Sequence, residues 1–510
     1  MILIHPPVAK PCEPPAGIAK LSGALKHHGI SHVLLDANLE ALNYSFGRSN
    51  GLSIPRPDRW TRRAFRNMSN NYSLLRTWQT YRNIDRYKRA VIDLNHAIEH
   101  SFPGGARPGL ANYQHDDYSP LRSADLIKAA EYPEMNPYYP YFSKRLSLLL
   151  KRSDVSPIGF SLNYLSQALC TFAMIGYIRQ HVPNVKIIIG GGLVTSWMKN
   201  TLWKEPFAGL VDLCVSGPGE GPVLSLNGVA ASEETHCTPA YGSLPFNGYL
   251  SPGPILPYSA SNGCYWNKCS FCPEQAEDNP YIPLPVHRVT DDLHSLITET
   301  DPALVHLLDN AVSPALLKEL ALHPLGVPWY GFARVSTLLT DRDFCIALKN
   351  SGCVMLKLGL ESGDQEVLDA LQKGISVETA AIALRTLKNA GIATYVYLLF
   401  GTPPETMAEA RNTLEFVVHN RENIDFLNLA LFNMPVCGTD NSIYERRSFY
   451  EGDLSLYTDF RHPRDWSRKD VRNFLDNEFR KHQAVSEILK NDPPVFTSNH
   501  APFFMLSGKS

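Results

Sequence analysis

The stretch CYWNKCSFC at residues 264–272 places three of the ten cysteines of the chain within nine positions, immediately after the candidate strand Tyr258–Asn262. Thiolates are soft ligands that select zinc or iron–sulfur clusters. A structural zinc site needs four ligands, normally as two pairs, and no second pair follows at that spacing. Three cysteines on one loop suit a 4Fe-4S cluster with one iron left open. We therefore predict the metal ligands Cys264, Cys269 and Cys272, with zinc and three coincidental buried cysteines as the alternatives.

The composition of the chain narrows its class. The 510 residues suggest roughly three domains. The 48 basic and 50 acidic residues give a net charge of -2, which does not indicate a polyanion-binding surface and disfavours nucleic acid as a partner. Ten cysteines in a chain of this length are too dilute for a disulfide scaffold. No apolar run reaches the roughly 18 residues of a membrane span, and the apolar start Ile2–Ile4 is too short for a signal peptide. We expect a cytoplasmic protein with no membrane span.

Outward from the cysteines, residues 257–439 alternate short apolar strands with helices. The candidate strands are Tyr258–Asn262, Leu304–Leu308, Trp329–Ala333, Met355–Leu360, Thr394–Phe400 and Phe426–Phe432. This alternation predicts a partial (β/α)6 parallel barrel with its active-site groups just past the carboxyl ends of the strands. Residues 440–510 predict a small, mostly helical C-terminal extension with a charged helix from Arg468 to Leu489.

Residues 1–222 alternate strands and helices in the same way. The candidate strands are Ile2–Ile4, His32–Asp36, Ile158–Leu162, Lys186–Ile189 and Val211–Val215. They predict an α/β domain with a doubly wound parallel sheet, in which ligands lie at the carboxyl ends of the strands. Residues 45–150 form a largely helical insertion, including a helix from Ser73 to His100, and serve either as a surface cap or as a lid over a substrate pocket. Residues 223–256 are predicted to be a connector.

The second region resembles the radical S-adenosylmethionine (SAM) superfamily from about Pro257 to Thr439. The resemblance rests on the cysteine loop with Phe271 before its last cysteine, on GLESGDQEVL at residues 359–368 with Lys373-Gly374 after it, and on FGTPPET at residues 400–406. One departure is the spacing of the first two cysteines, which are separated by four residues where the family usually has three.

The resemblance implies a chemistry. In this family the open iron chelates the methionine end of SAM, and one electron from the cluster cleaves the sulfonium to give a 5′-deoxyadenosyl radical, which abstracts hydrogen from an unactivated carbon. An electron donor such as flavodoxin or ferredoxin is then needed. The resemblance implies SAM contacts from Glu361 and Ser362 and from the backbone at Phe400 and Gly401. Arg334 either pairs with the SAM carboxylate or forms a structural salt bridge, and Asp309 and Asn310 are further candidates.

The first region resembles the cobalamin-binding domain that precedes the radical SAM barrel in many such enzymes, and the alternative is a generic doubly wound domain. The residues implied to contact cobalamin are Pro15, Gly17, Ser161, Leu162, Gly190, Gly191, Gly192, Gly217, Gly219 and Glu220. The Asp-x-His-x-x-Gly motif that supplies a cobalt ligand in some cobalamin domains is absent, so no such histidine holds the lower face of the cofactor.

These resemblances predict a cobalamin-dependent radical SAM enzyme, most simply a C-methyltransferase acting on an unactivated carbon of a small-molecule, lipid or peptide substrate. The alternatives are a radical SAM enzyme of another reaction type, such as cyclisation, rearrangement or oxidation, and a non-catalytic cobalamin or SAM sensor. The intact cysteine loop argues against a sensor, which needs no electron source.

Overall fold

The computed structural model describes residues 1–49, 57–102, 104–151, 157–201, 203–229, 236–438, 444–447, 452–496 and 500–505. The chain divides into two compact units. The first comprises residues 1–254 with 450–456 and 494–496, and the second comprises residues 255–449 with 457–493 and 497–510. Within the described residues, no helix combines the length and the apolar character needed to cross a membrane.

The first unit is built on a parallel sheet, as the alternating pattern predicts. Its strands are β1 (Ile2–His5), β2 (Val33–Asp36), β3 (Ala106–Pro108), β4 (Tyr113–His115), β5 (Ile158–Ser161), β6 (Ile187–Gly190) and β7 (Leu213–Cys214). Five of them form a parallel sheet in the order β2-β1-β5-β6-β7. The central strands are buried on both faces, which explains their continuous apolar sequences. The strand order reverses direction between β1 and β5, the place where doubly wound sheets hold ligands.

Helices cover this sheet and form most of the insertion. They are α1 (Ala16–His27), α2 (Ala37–Ser49), α3 (Arg59–Arg66), α4 (Met68–Leu74), α5 (Trp78–Tyr81), α6 (Ile84–Glu99), α7 (Ser123–Glu131), α8 (Tyr139–Leu150), α9 (Leu165–His181), α10 (Gly192–Lys199) and α11 (Glu220–Leu226), with 3-10 turns at Pro133–Met135 and Phe246–Gly248. The predicted helix from Ser73 to His100 is wrong at its start. The side chain of Asn83 accepts the Arg86 N–H and caps a new helix there. The antiparallel hairpin of β3 and β4 was not predicted.

The second unit contains the predicted partial barrel. Its strands are β8 (Ile255–Tyr258), β9 (Ser261–Asn262), β10 (Ile282–Pro283), β11 (Leu304–Leu307), β12 (Trp329–Ala333), β13 (Cys353–Glu361), β14 (Ala393–Phe400), β15 (Phe426–Leu431), β16 (Met434–Pro435), β17 (Arg446–Arg447) and β18 (Tyr457–Phe460). Six of them form an open parallel sheet in the order β15-β14-β13-β12-β11-β8. The prediction of the first strand as Tyr258–Asn262 is wrong. The barrel strand ends at Tyr258, and β9 instead pairs with β10 in a separate hairpin.

Helices follow the barrel strands, and the C-terminal region combines helices with the strands β17 and β18, which form a small sheet with β16. The helices are α12 (Pro273–Ala276), α13 (Val286–Thr300), α14 (Pro314–Leu322), α15 (Arg342–Asn350), α16 (Gln365–Ala370), α17 (Val377–Asn389), α18 (Met407–His419), α19 (Arg468–Phe474) and α20 (Gln483–Leu489), with 3-10 turns at Thr337–Thr340, Arg421–Asn423 and Ala501–Phe504.

The single charged helix predicted from Arg468 to Leu489 is wrong, because a π-helical turn at Leu475–Phe479 separates α19 from α20. Phe474 and Phe479 lie five residues apart, and both pack on Phe400, at ring-centre distances of 6.2 and 5.1 Å. The i to i+5 repeat of a π turn brings such a pair to one face, whereas an α-helix would separate them.

A hydrophobic cluster fills the end of the barrel where its strands begin. It contains Ile255, Leu304, Tyr330, Val354, Met355, Ala393, Tyr395, Phe426 and Ala501. Phe504 and Met505 pack against the same cluster, so the 3-10 turn Ala501–Phe504 covers the amino-terminal end of the strands. The opposite, carboxyl-terminal end is therefore the one available for a site.

Candidate functional site

The three predicted metal ligands lie on one loop after β9. Cys269 is buried and the thiols of Cys264 and Cys272 are half-buried, and all three are free. The loop begins at Gly263, whose φ of +72° would strain any other residue. A side chain added at this position would place its Cβ 2.4 Å from the Pro280 carbonyl oxygen. The predicted candidate Asp309 holds the segment just before this loop: its carboxylate accepts hydrogen bonds from the Ser261 hydroxyl and the Ala260 N–H. Asp309 thus shapes the loop, whereas Asn310 is exposed.

The surroundings of the thiols suit an anionic metal centre. Burial raises the pKa of Cys269, and the nearby cations Lys373 and Arg334 partly offset the rise. Burial also raises the pKa of Cys272 to about 11, although the backbone N–H groups of Glu274 and Gln275 counteract it. Both thiols are therefore protonated in the metal-free protein at neutral pH, and a soft metal would displace those protons. The cations and N–H donors would then face the sulfurs of a thiolate-bound cluster, so the residues fit a 4Fe-4S group.

Arg334 lies beside the cysteine loop rather than apart from it. Its Nη1 is 4.0 Å from the Cys269 Sγ, and its Nη2 donates to the Lys373 carbonyl oxygen. Lys373 in turn places its Nζ 2.9 Å from the Glu361 Oε1. The structure thus brings together Arg334, Glu361 and the predicted metal ligand Cys269, and it adds Lys373, to which the sequence analysis had given no role.

Glu361 and Ser362, at the end of β13, point in different directions. Glu361 has a φ of +70°, and a register shift interrupts the pairing of β13 with β14 next to it. Ser362 is fully buried, its hydroxyl lies 3.1 Å from the Thr413 hydroxyl and it accepts the Asp364 N–H. The Ser362 side chain therefore holds the turn into α16 together, and Glu361 carries the polar group that faces the cysteine loop.

Phe400 and Gly401 end β14. The Phe400 ring is fully buried between the aromatic rings of the C-terminal helices. Gly401 has a φ of +79°, and its N–H donates to the Oε2 of Glu405. The buried Phe400 side chain is therefore not available to a ligand, and contact of the backbone at Phe400 and Gly401 with SAM stays a prediction.

Glu405 is a buried carboxyl group that the sequence analysis missed. It is fully buried, and its Oε1 has no hydrogen-bond partner within the described part of the chain. Burial raises its pKa to about 8, despite hydrogen bonds from the Gly401 and Thr402 N–H groups. Glu405 is therefore mostly protonated at neutral pH and organises the turn after β14. The PPE sequence after Gly401 placed this residue in the matched motif but gave no sign of its burial.

A cavity of about 470 Å³ lies between the cysteine loop and the ends of β14 and β15. Its lining includes Phe271, Gln372, Pro403, Pro404, Phe432 and Met434. Its size lies within the range of roughly 300 to 1,000 Å³ that holds small-molecule ligands. The mixture of rings, prolines and backbone suits a flat heteroaromatic group such as adenine.

The predicted cobalamin residues gather in two groups in the first unit. Ser161 pairs in register with Gly190, and a Cβ on Gly17 would lie 3.1 Å from the Ser161 hydroxyl. Gly191 lies against Leu162. The residues that thus lie together at the carboxyl edge of β5 and β6 are Gly17, Ser161, Leu162, Gly190 and Gly191. Asn163, which the sequence analysis did not single out, accepts the Gly192 N–H through its Oδ1 and links the two loops.

The second group surrounds the start of α11. Gly217 has a φ of +76° and donates its N–H to Thr195, and Gly219 precedes the first residue of the helix. Glu220 is buried and forms an ion pair with Lys20, at 2.9 Å. Its carboxylate thus ties α11 to α1, at whose start Pro15 stands. The structure does not show Glu220 as a group free to meet a ligand.

Replacing Gly191 by alanine is expected to destabilise the first unit by about 2 to 4 kcal/mol, because φ is +110° and the new Cβ would lie 2.6 Å from the Leu162 carbonyl oxygen. Urea unfolding followed by circular dichroism measures the change. Gly192→Ala is the matched control, since its Cβ would lie 3.9 Å from the nearest atom and its φ is ordinary. Equal unfolding midpoints for both variants would contradict the close contact at Gly191.

Comparison with known proteins identifies a family match within the second unit. Residues 258–417 match the Radical SAM superfamily. These residues therefore form a radical SAM domain. The cysteine loop and the strands β11 to β14 lie inside the matched segment.

Two curated proteins and one solved structure extend the comparison. An uncharacterized methyltransferase of Pyrococcus horikoshii is 24% identical over 331 residues, which cover 58% of this chain and 70% of that protein. An anaerobic magnesium-protoporphyrin IX monomethyl ester cyclase of Rubrivivax gelatinosus is 26% identical over 228 residues, 43% of this chain and 39% of its own length. The radical SAM methyltransferase TsrM of Kitasatospora setae, solved with cobalamin and a 4Fe-4S cluster, matches 85% of this chain and 75% of its own at 16% identity and a TM-score of 0.50. This structural likeness shows a shared fold.

Proposed function

We propose that this radical SAM protein is a cobalamin-dependent C-methyltransferase that acts on an unactivated carbon. The observation that carries the proposal is the placement of three free thiols and flanking cations beside a cavity of about 470 Å³ at the carboxyl end of the partial barrel. The cysteine loop alone would suit an electron-transfer protein, but an adjoining cavity large enough for a nucleoside suits an enzyme that binds SAM.

Each part of the second unit has a task in this proposal. Cys264, Cys269 and Cys272 hold the cluster, and Glu361 and the backbone at Gly401 bind SAM together with the cavity beside Phe271. When bound, the cluster would supply the electron that cleaves one SAM, and cobalamin would carry to the substrate carbon a methyl group taken from a second SAM. The residues of the chain position these groups and exclude water. The electron comes from a donor such as flavodoxin or ferredoxin, and we place the protein in the cytoplasm, where thiols stay reduced.

Cobalamin binding is the part of the proposal that rests on the first unit. The glycines and Ser161 at the carboxyl edge of β5 and β6 leave backbone accessible beside the place where the strand order reverses, between β1 and β5, which suits a large flat ligand. The solved relative TsrM shares this fold and holds cobalamin. Without an Asp-x-His-x-x-Gly motif, the lower face of the cofactor is free of a histidine ligand of that kind.

Anaerobic reconstitution followed by assay with SAM labelled in its methyl group tests the proposal. We expect about four irons per chain, a visible cobalamin spectrum after incubation with hydroxocobalamin, and label in the product of a metabolite extract. Bound zinc in place of iron would overturn the cluster assignment, and a chain that cannot be loaded with cobalamin would overturn the methyltransferase assignment.

A second reaction type, ring closure, is favoured by the partial match to the cyclase of Rubrivivax gelatinosus. It predicts formation of 5′-deoxyadenosine and a product of lower hydrogen content with no label from the methyl group. The same labelled assay therefore separates the two candidates.

A further inference from the structure

The loop between Cys264 and Cys269 carries four residues, one more than the usual spacing in the superfamily. Trp266 lies in this segment, and its indole N–H donates to the carbonyl oxygen of Gln372 at 2.9 Å, across 106 positions of sequence. A second contact, from the Ser270 N–H to the Leu371 carbonyl oxygen at 3.1 Å, reaches the same turn. The lengthened loop is therefore fastened to the segment after α16.

Arg334 covers one face of the Trp266 ring. The guanidinium carbon lies 4.2 Å from the ring centre, within the range of a cation–π contact. The hydrogen bond from Arg334 to the Lys373 carbonyl oxygen fixes the guanidinium in that place. The planar guanidinium can stack on the ring and donate at its edge simultaneously, which a lysine ammonium cannot do.

Gly374 makes room for the six-membered ring of the indole. It has a φ of +66°, and a Cβ at this position would lie 2.1 Å from the Trp266 Cζ2. Only glycine therefore allows the indole to rest on the backbone here.

The turn 372–374 also contacts the later part of the cysteine loop. The Nζ of Lys373 lies 5.4 Å from the centre of the Phe271 ring, and the same Nζ pairs with Glu361. One turn thus touches the loop on both sides of Cys269 and connects it to the residue at the end of β13.

We propose that Trp266 and Arg334 are positioning residues that clamp the lengthened loop onto the turn 372–374 and thereby fix Cys264 and Cys269 for cluster binding. This inference rests on the proposed cluster site and assigns a new task to Arg334, for which the sequence analysis considered pairing with the SAM carboxylate or a structural salt bridge.

Hydrogen exchange of the metal-free protein tests the clamp without any cofactor. Trp266→Ala is expected to raise the exchange rate of amides in residues 264–272 about tenfold or more, because the loop loses its hydrogen bond and its ring contacts. Trp266→Phe keeps the ring and loses the N–H donor, so an intermediate rate is expected. Lys268→Ala is the matched control. The Nζ of this exposed lysine lies 5.1 Å from the centre of the Trp266 ring, but it forms no hydrogen bond with the described turn 372–374.

Iron content and the electron paramagnetic resonance spectrum of the reconstituted protein supply a second measurement. We expect Arg334→Lys and Trp266→Phe to bind iron with an altered spectrum, and Lys268→Ala to match the unchanged protein. Wild-type exchange rates in Trp266→Ala, or an unaltered spectrum in both conservative variants, would overturn the clamp. Failure of the unchanged protein to take up iron would instead overturn the proposed function, and the exchange experiment would still decide whether the clamp exists.

Discussion

Replacing Cys269 by alanine is expected to reduce the iron content of the reconstituted protein from about four atoms per chain to fewer than about one and to abolish cleavage of SAM. Cys269 is the most buried of the three thiols and the one nearest to Arg334. An alanine there leaves two thiols, which cannot hold the cluster, and leaves two cations facing an apolar side chain. Iron and sulfide analysis, the visible spectrum and the yield of 5′-deoxyadenosine measure the loss.

Cys214→Ala is the matched control for that experiment. Cys214 is a half-buried free thiol on β7, in the other unit. We expect this variant to keep full iron content and activity. Cleavage of SAM by Cys269→Ala at the rate of the control would refute the ligand assignment, whereas equal loss in both variants would point to general damage from thiol removal.

Glu405→Gln is expected to remove a pH dependence from the stability of the protein. Burial raises the pKa of Glu405 to about 8 in the folded state, from an ordinary value of 4.5 in the unfolded state. Folding therefore favours the protonated carboxyl group, so its contribution to stability is full below about pH 4.5 and falls as the pH rises towards 8. The slope approaches about 1.4 kcal/mol per pH unit, and the total loss is about 3 to 5 kcal/mol. Glutamine is neutral throughout.

The measurement compares urea unfolding of both proteins between pH 5 and pH 8. We expect the difference in unfolding free energy to shift in favour of Glu405→Gln as the pH rises. Glu409→Gln is the matched control: desolvation raises the pKa of Glu409, but hydrogen bonds from Thr406 and the Glu409 N–H, with the charge of Arg464, outweigh it and lower the pKa below its ordinary value of 4.5. The Glu409 carboxylate therefore loses its stabilising effect only as the pH falls below about 4.5, so we expect its difference in unfolding free energy to stay constant between pH 5 and pH 8. Parallel pH profiles of the unchanged protein and Glu405→Gln would show that Glu405 is ionised in the folded state.

Much of the fold follows from local sequence pattern. The apolar runs of the barrel, such as Trp329–Ala333, are short, fully buried and separated by helices, and this pattern is specific to parallel sheets. The cysteine spacing predicts a metal site because three soft ligands so close together have few other uses. Both signals lie within a few residues of sequence.

The errors arose where distant residues decide local structure. Pro257 lacks an N–H donor, which argues against a strand over Ile255–Tyr258. However, β8 lies at the edge of the sheet, where a missing N–H is tolerated. The π turn before α20 depends on Phe400, more than 70 positions away, and the fastening of Trp266 depends on Gln372. Periodicity within one segment carries no information about such partners.

The chain returns to its first unit after completing the barrel, since residues 450–456 and 494–496 belong to that unit. In this return, Leu454 donates its N–H to the Leu121 carbonyl oxygen at 2.9 Å, and the Ser123 N–H donates to Asp453 at 2.8 Å. A single cut therefore cannot separate the halves of the molecule. A recombinant fragment ending at residue 254 would lack these partners, so cofactor binding by the first unit should be measured on the whole chain or on a fragment co-expressed with the missing segments.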